Sequence, residues 1–143
     1  MSNQDSLQNV IAFFESISAD NIAKLSSVYT EDVFFKDPFN EVQGIVEVLR
    51  IFEHMFVQVD APRFVVTTHL IKGDQAFLTW DFLFRIKRYA QKEQCIRGAT
   101  HLRFATDGRV NFHRDYWDAA EELYEKIPAI SLLMRGLKHL VRS

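Results

Sequence analysis

The fold is decided around residues 33–39, VFFKDPF, where a short apolar strand ends on an aspartate and a proline. On both sides of this stretch, apolar residues recur at the three- and four-residue spacing of an amphipathic helix. Ser6 precedes the first of these segments and is its expected N-cap. The predicted strand is Val33 to Lys36, and the predicted helices are Leu7 to Ile17, Ile22 to Tyr29 and Ile45 to Phe56.

After Pro62 the pattern changes from helical spacing to the alternation typical of strands. Turn signals at Gly73-Asp74, at residues 90–92 and at Asp107-Gly108 divide this part of the chain. The predicted strands are Arg63 to Lys72, Gln75 to Arg88, Cys95 to Ala105 and Arg109 to Asp118. Three helices followed by a four-stranded meander predict a cone-shaped α+β fold. Its N-terminal helices pack in the concave face of a curved, mostly antiparallel sheet, and its open end forms an apolar pocket.

The strand Gln75 to Arg88 is apolar on both faces, because Phe77 and Leu83 alternate with Trp80 and Phe84. Such a strand is usually covered on both sides. The helices would cover one face, although the sequence does not decide which face lines the pocket. We expect a homodimer to cover the outer face.

Composition favours one soluble globular domain, residues 1–143, with 48% hydrophobic and 25% charged residues. A net charge of −2 gives no basis for nucleic-acid binding. A single cysteine, Cys95, cannot form an internal disulfide, so a cytoplasmic location is expected. No apolar run approaches the roughly 20 residues that span a bilayer, and we expect no stable membrane association.

Asp37 is the first candidate for chemistry because its neighbours in sequence include Phe34, Phe35 and Phe39. A carboxylate among apolar rings loses solvation, which raises its pKa and makes it a base near neutral pH. The alternative is structural, since an Asp before a proline also caps or turns the chain. The sequence leaves both roles open.

The last predicted strand supplies a second pair of polar side chains. Alternation puts His113, Asp115 and Trp117 on one face of this strand. With Asp37, the His113 and Asp115 side chains would form an acid/base set in an apolar cavity. They would otherwise be a buried polar pair that fixes the sheet.

Two segments carry a resemblance to a known family. Residues 29–33, YTEDV, then Asp37-Pro38-Phe39 and a helix led by Gly44, look like the opening of the nuclear transport factor 2-like (NTF2-like) superfamily. Residues 102–117 are similar to the last hairpin of that superfamily. The group contains the ketosteroid isomerases and the SnoaL-like polyketide cyclases, and the resemblance covers about residues 7 to 118.

This resemblance implies a general base at Asp37, where the steroid isomerases place theirs. Their oxyanion hole uses a tyrosine and a protonated aspartate. The corresponding positions here are Phe13, which has no hydroxyl, and Thr100, which is a weak donor, so steroid isomerisation by that mechanism is not expected. The residues predicted to contact a ligand are Phe13, Tyr29, Phe39, Phe52, Phe56, Trp80, Thr100 and Trp117.

The sequence contains no metal or cofactor motif. Its five histidines are scattered, and it has neither a phosphate loop nor a dinucleotide fingerprint, so a cofactor-free site without a metal is expected. The C-terminal extension, residues 119–143, predicts an amphipathic basic helix after Pro128. This helix could close the cone, pack on a dimer or lie on an anionic membrane, and a lid or packing role is favoured.

Three classes of function fit these residues. The first is a cofactor-independent acid/base enzyme, an isomerase, cyclase, dehydratase or hydrolase, acting on a small hydrophobic substrate. The second is a non-catalytic pocket for a hydrophobic ligand, and the third is a dimeric interaction module. An unusual pKa of Asp37 would favour the first class, stabilisation by a ligand without turnover the second, and a filled cavity the third.

Overall fold

The computed structural model describes residues 2–87 and 92–124 of the chain. Within these ranges, two α-helices and six strands form one α+β body. The helical elements are α1 (Asn3–Glu15), a 3₁₀ helix (Ile22–Ser27), α2 (Ile45–Gln58) and a π-helical turn (Ala120–Tyr124). The strands are β1 (Tyr29–Lys36), β2 (Glu41–Gln43), β3 (Val59–Lys72), β4 (Gln75–Ile86), β5 (Gln94–Phe104) and β6 (Val110–Tyr116).

The strands form one curved sheet in the order β2-β1-β6-β5-β4-β3. Strands β3 to β6 are the predicted antiparallel meander, and only the β1–β6 pair is parallel among the described strands. Helix α1 packs on β3 and α2 packs on β1, so both helices lie in the concave face. The predicted cone is confirmed, and its sheet is open rather than closed into a barrel.

The second predicted helix, Ile22 to Tyr29, is wrong in its type and its end. It is a 3₁₀ helix that ends at Ser27, and β1 begins at Tyr29. The Tyr29 side chain is completely buried, and its backbone is in register with Val110 of β6. Pairing with a strand about eighty residues later therefore overrides the local helical spacing.

The first N-cap is Ser2, not Ser6. The Ser2 hydroxyl accepts a hydrogen bond from the Asp5 N–H at 3.1 Å, and the Asp5 carboxylate accepts one from the Ser2 N–H at 3.2 Å. This reciprocal capping box fixes the start of α1 one turn earlier than predicted. Ser6 lies inside the helix and is buried.

β1 begins at Tyr29 rather than Val33, and the bounds of β4, β5 and β6 differ from the predicted ones by one or two residues. β3 and β2 differ more. β3 starts at Val59, and Pro62 lies within it, at a bulge between Asp60 and Arg63 where Ala61 has φ 49°. A proline is tolerated there because β3 is an edge strand and its ladder is already interrupted. The sequence analysis also missed β2, which pairs with β1 to make a hairpin around Asp37.

The predicted helix after Pro128 and the turn at Ala90 lie outside the described residues. Asp118 caps the last described turn, because its Oδ1 accepts hydrogen bonds from the N–H groups of Ala120 at 3.0 Å and Glu121 at 3.1 Å. No helix in the described part of the chain is both long enough and apolar enough to cross a membrane.

Trp80 of β4 lies flat against the backbone of Gly98 on β5. A Cβ placed on Gly98 would come within 2.5 Å of two carbons of the indole ring. Only glycine leaves this space, and it lets the indole N–H reach the Thr100 hydroxyl at 2.7 Å. The Trp80 face of β4 therefore lines the interior, while Phe77 is on the outer face and 46% exposed.

Gly98→Ala should destabilise the protein by about 1–3 kcal/mol, because the added methyl group must displace the Trp80 ring. Urea unfolding followed by circular dichroism measures this change. In a Trp80→Phe background the same substitution should be less costly, since the ring carbons that clash are absent. An equal cost in both backgrounds would contradict this packing argument.

Candidate functional site

An apolar cavity of about 140 Å³ lies between the helices and the concave face of the sheet. An engineered cavity of about this size, roughly 150 Å³, holds benzene, so a single ring is the expected scale of a ligand. The apolar and aromatic wall consists of Val10, Ile11, Phe14, Phe35, Ile51, Phe52, Met55, Val59, Phe64, Val66, Leu78, Trp80, Phe82, Phe84, Ile96, Leu102 and Trp117.

The cavity also receives the polar side chains Asp37, Thr100, His113 and Asp115. They come from three neighbouring parts of the sheet. Thr100 of β5 is in register with Asp115 of β6, and His113 is in register with Phe35 of β1. Since β1 and β6 are adjacent, Asp37, at the end of β1, lies on the same side of the sheet as the two β6 residues.

Asp37 is held by the turn that joins β1 to β2. Its Oδ1 accepts hydrogen bonds from the N–H of Phe39 at 2.8 Å and the N–H of Asn40 at 2.7 Å. The Asn40 side-chain amide donates to both carboxylate oxygens of Asp37 at 3.1 Å. This Asx-type turn orients the carboxylate by backbone and side-chain donors together.

Burial raises the pKa of Asp37 from 3.8 to about 6. The hydrogen bond from Asn40 opposes this shift, the negative charge of Asp115 adds to it, and the backbone N–H groups of Phe39 and Asn40 oppose it. The two roles that the sequence left open therefore coexist, since Asp37 turns the chain and also has a raised pKa.

A chain of short hydrogen bonds runs behind the cavity from Trp80 to Tyr29. The Trp80 Nε1–H donates to Thr100 Oγ1 at 2.7 Å, and the Thr100 hydroxyl donates to Asp115 Oδ1 at 2.6 Å. His113 Nε2 lies 2.7 Å from Asp115 Oδ1, and its Nδ1 lies 2.7 Å from the Tyr29 hydroxyl. His113 is 4% exposed and its ring stacks on Phe35 at 4.7 Å.

The direction of this chain follows from its ends. An indole N–H only donates, so Thr100 accepts it and gives its own proton to Asp115. Burial, with the charge of Asp115, raises the pKa of Tyr29 well above 10, so the phenol keeps its proton. If His113 Nδ1 carried a proton, the phenol proton would have no acceptor among the described residues. The arrangement therefore fits a His113 ring whose proton is on Nε2 and is donated to Asp115.

The three residues predicted as an acid/base set, Asp37, His113 and Asp115, all line the cavity. Half of the predicted ligand contacts do so as well: Phe52, Trp80, Thr100 and Trp117. The other four, Phe13, Tyr29, Phe39 and Phe56, lie outside its wall.

The side chains of these four residues do not line the cavity because each of them packs against another residue instead. Phe13 is one position from the α1 face that contains Phe14, and it packs edge-on against that ring at 5.5 Å. Tyr29 lies beneath His113, and Phe39 packs against Trp117 at 5.3 Å. Phe56 is only partly buried and packs against the core.

The sequence analysis missed Asn40 and most of the phenylalanine wall. A turn that includes Asn40 was detectable, since Asp, Pro and Asn are residues typical of turns. The wall residues Phe14, Phe35, Phe64, Phe82 and Phe84 had no separate signal, because core and cavity phenylalanines have the same spacing.

No group of three or more His, Cys, Asp or Glu side chains in the described ranges is arranged to hold a metal ion. The polar part of the site, so far as the structure describes it, consists of the two carboxylates and the hydrogen-bond chain.

A family model described as a SnoaL-like domain matches residues 10–113 of the chain. The curated proteins compared with the chain provide no match. Among solved structures, an NTF2-like protein of unknown function from Burkholderia pseudomallei K96243 is 17% identical, with a TM-score of 0.73, and the alignment covers 87% of this chain and 97% of that chain.

Two further structures are similar. A hypothetical protein with a ketosteroid isomerase-like fold from Catenulispora acidiphila DSM 44928, in complex with trimethylamine, is 16% identical over 90% of this chain and 98% of that chain, with a TM-score of 0.74. An LEH-like epoxide hydrolase of M. tuberculosis is 14% identical over 91% and 97%, with a TM-score of 0.70. At these identities the likeness to solved structures establishes the fold alone.

Asp37→Asn should change how stability depends on pH. The wild-type pKa of about 6 lies above the unfolded value of about 3.8, so ionised Asp37 destabilises the folded state at neutral pH. This penalty, on the order of 3 kcal/mol, is relieved as pH falls from above 6 to below 4. The variant lacks it and should be at least as stable as wild type at neutral pH.

Denaturant unfolding of both proteins between pH 4 and 8 measures the difference in their free energies of unfolding. The contributions of titratable groups that both proteins share cancel in this difference. Asp20→Asn, at an exposed position, is the matched control and should show no such dependence. A variant that is less stable at neutral pH, with a deficit that vanishes in acid, would show that the hydrogen bonds of the turn outweigh burial.

Proposed function

The chain belongs to the SnoaL-like family, and we propose that it is a cofactor-independent acid/base enzyme acting on a small hydrophobic molecule. The observation that carries this proposal is a carboxylate with a pKa of about 6 at an aromatic cavity of about 140 Å³. A base with a pKa near the working pH transfers protons efficiently, because it is ionised and still has appreciable proton affinity.

Asp37 is the proposed proton-transfer group. Its Oδ1 takes the two backbone N–H groups of the turn, whereas Oδ2 takes only the longer bond from Asn40 at 3.1 Å. Oδ2 is therefore the oxygen better able to exchange a hydrogen bond with a substrate. The turn fixes the carboxylate so that little reorganisation is needed during the transfer.

Asp115 is the proposed second carboxylate, and His113 is assigned a positioning role. Both ring nitrogens of His113 are bonded, to Tyr29 and to Asp115, so its lone pair and proton are already engaged. Asp115 Oδ1 takes the bonds from His113 and Thr100, and Oδ2 accepts no hydrogen bond from the described residues. Asp115 would thus bind or polarise a substrate through Oδ2.

The hydrogen-bond donors of the cavity favour some of the proposed reactions over others. Phe13 and Thr100 provide no donor for an oxyanion, since Thr100 gives its proton to Asp115. Isomerisation through a stabilised dienolate is therefore disfavoured, and hydrolysis, dehydration or cyclisation remain. The M. tuberculosis neighbour is described as an epoxide hydrolase, which supports including hydroxyl-bearing epoxides among the compounds tested.

A non-catalytic pocket for a hydrophobic ligand is the second candidate. It is favoured by the hydrogen-bond chain, because a fully bonded His113 and Thr100 are what a purely structural core would also show. Detection of substrate conversion would distinguish the proposed enzyme from the non-catalytic pocket.

Turnover should depend on the Asp37 carboxylate. Incubation of wild type with single-ring alcohols, including epoxides that carry a hydroxyl, followed by product analysis, should reveal conversion that rises as pH increases through about 6. Asp37→Asn should reduce the rate by at least about a hundredfold while ligand binding persists. Asp20→Asn should retain the wild-type rate.

Ligand binding without conversion by the wild-type protein would favour the non-catalytic pocket. Equal rates for wild type and Asp37→Asn would remove Asp37 from the mechanism and leave only the cavity.

The outer face of the sheet is the proposed site of a homodimer contact. Leu70 on β3 and Phe77 on β4 are opposite each other and are 67% and 46% exposed. Phe77 stacks on His101 at 4.5 Å, and His101 meets the Phe112 ring at 5.1 Å. An exposed apolar row across neighbouring strands favours burial against a second copy. The cytoplasmic location, which rests on the single Cys95, also stays a prediction.

Phe77→Asp should convert a dimer to a monomer, because it would bury two carboxylates at a symmetric contact. Sedimentation velocity at micromolar concentration measures this. Val46→Asp is the control, since Val46 is 65% exposed but lies on α2, away from the sheet. A wild-type monomer under these conditions would contradict the homodimer.

A further inference from the structure

The hydrogen-bond chain determines what kind of polar group the cavity can recognise. Three cavity-lining side chains carry protons that are already donated within the chain. Trp80 donates to Thr100, Thr100 donates to Asp115, and His113 donates from Nε2 to Asp115. The polar atoms that remain available to a ligand are the carboxylate oxygens of Asp37 and Asp115. Above the pKa of Asp37, these oxygens only accept hydrogen bonds.

We infer that the cavity selects a compact apolar ligand that presents a hydrogen-bond donor, a hydroxyl or a protonated amine, to the Asp37 and Asp115 carboxylates. This inference rests on the proposed function, because it names the substrate class of the same cavity. A ligand whose polar group only accepts, such as a ketone, would direct its lone pairs at carboxylate lone pairs and lose its hydrogen bonds to water without replacement.

The charge of the site favours the protonated amine over the neutral hydroxyl. Asp115 raises the pKa of Asp37, which means that the two carboxylates repel each other inside the protein. None of the described residues that line the cavity is a lysine or arginine. A bound cation would reduce this repulsion and would also lie among aromatic rings, whose faces attract cations.

The basic side chains at the outer mouth are engaged elsewhere. Lys36 and Arg114 line the shallow depression in front of the two carboxylates. The Lys36 ammonium lies 3.3 Å from Glu41, and the Arg114 guanidinium lies over the Tyr116 ring at 4.6 Å. Both residues are register partners on the face of the sheet opposite to His113. Lys36 and Arg114 therefore do not supply the positive charge that is missing beside the two carboxylates.

Trp117 also lines the cavity, and its indole N–H could donate a hydrogen bond to a ligand. Its ring packs edge-on against Phe39 at 5.3 Å, beside the mouth. It supplies one neutral donor, whereas the site has two carboxylates. We therefore expect it to weaken the preference for ligands that donate hydrogen bonds without reversing that preference. Trp117→Phe removes this donor and retains an aromatic ring at the position.

Three ligands that differ only in the polar group test the inference: cyclohexylamine, cyclohexanol and cyclohexanone. Calorimetric titration at about pH 7.5 should rank them amine first, alcohol second and ketone last. The amine should bind at least about tenfold more tightly than the ketone. Trp117→Phe should widen this gap, and Asp20→Asn should leave it unchanged.

Asp115→Asn is the discriminating variant, because the amide has nearly the same shape but carries no charge and offers an N–H₂ donor. It should reduce the preference for the amine about tenfold or more and improve ketone binding. If that variant fails to fold, the ranking by the wild-type protein still decides the matter.

Equal or tighter binding of the ketone by wild type would overturn the inference and leave the proposed enzyme standing. Binding of none of the three would overturn both the inference and the small-molecule cavity. Nitrogen NMR of the His113 ring provides a direct check of the chain. Protonation at Nδ1 rather than Nε2 at neutral pH would reverse the direction of the bonds and remove the basis of the inference.

Discussion

The interior of this protein depends on the Asp115 carboxylate, which accepts two short hydrogen bonds in a largely apolar cavity. Through Oδ1 it joins Thr100 on β5 to His113 on its own strand, at 2.6 Å and 2.7 Å. Because an unbonded polar group in such a place is costly, each member of the chain fixes the state of the next. The indole at one end and the phenol at the other leave only one consistent set of proton positions.

The parallel pairing of β1 with β6 gives this chain its functional setting. It places the turn that carries Asp37 beside the last strand of the meander, so that two carboxylates far apart in sequence face one cavity. Their mutual repulsion contributes to the raised pKa of Asp37. A fold that held β1 elsewhere would have the same residues but not their electrostatic coupling.

Asp37 is held by hydrogen bonds of its turn and destabilised by its burial at the same time. The backbone N–H groups of Phe39 and Asn40 hold the ionised carboxylate, while burial disfavours its charge. Burial is the larger influence, so the ionised residue weakens the folded state at neutral pH. Under the proposed acid/base role, this penalty is the trade-off expected of a group that serves chemistry rather than stability. The rigid turn keeps the group oriented despite that penalty.

The sequence by itself determined the α+β cone, because helical spacing and strand alternation are local and survive in a single chain. It also determined that Asp37 has apolar neighbours and that His113 and Asp115 share a face, since alternation along one strand is a local property. Tertiary structure decided what those residues do. Tyr29 bonds to His113 across 84 residues, and it lies in a strand although its spacing is helical. Which face of β4 lines the cavity depended on the contact of Trp80 with Gly98. Long-range packing fixes such contacts, and no periodic pattern encodes them.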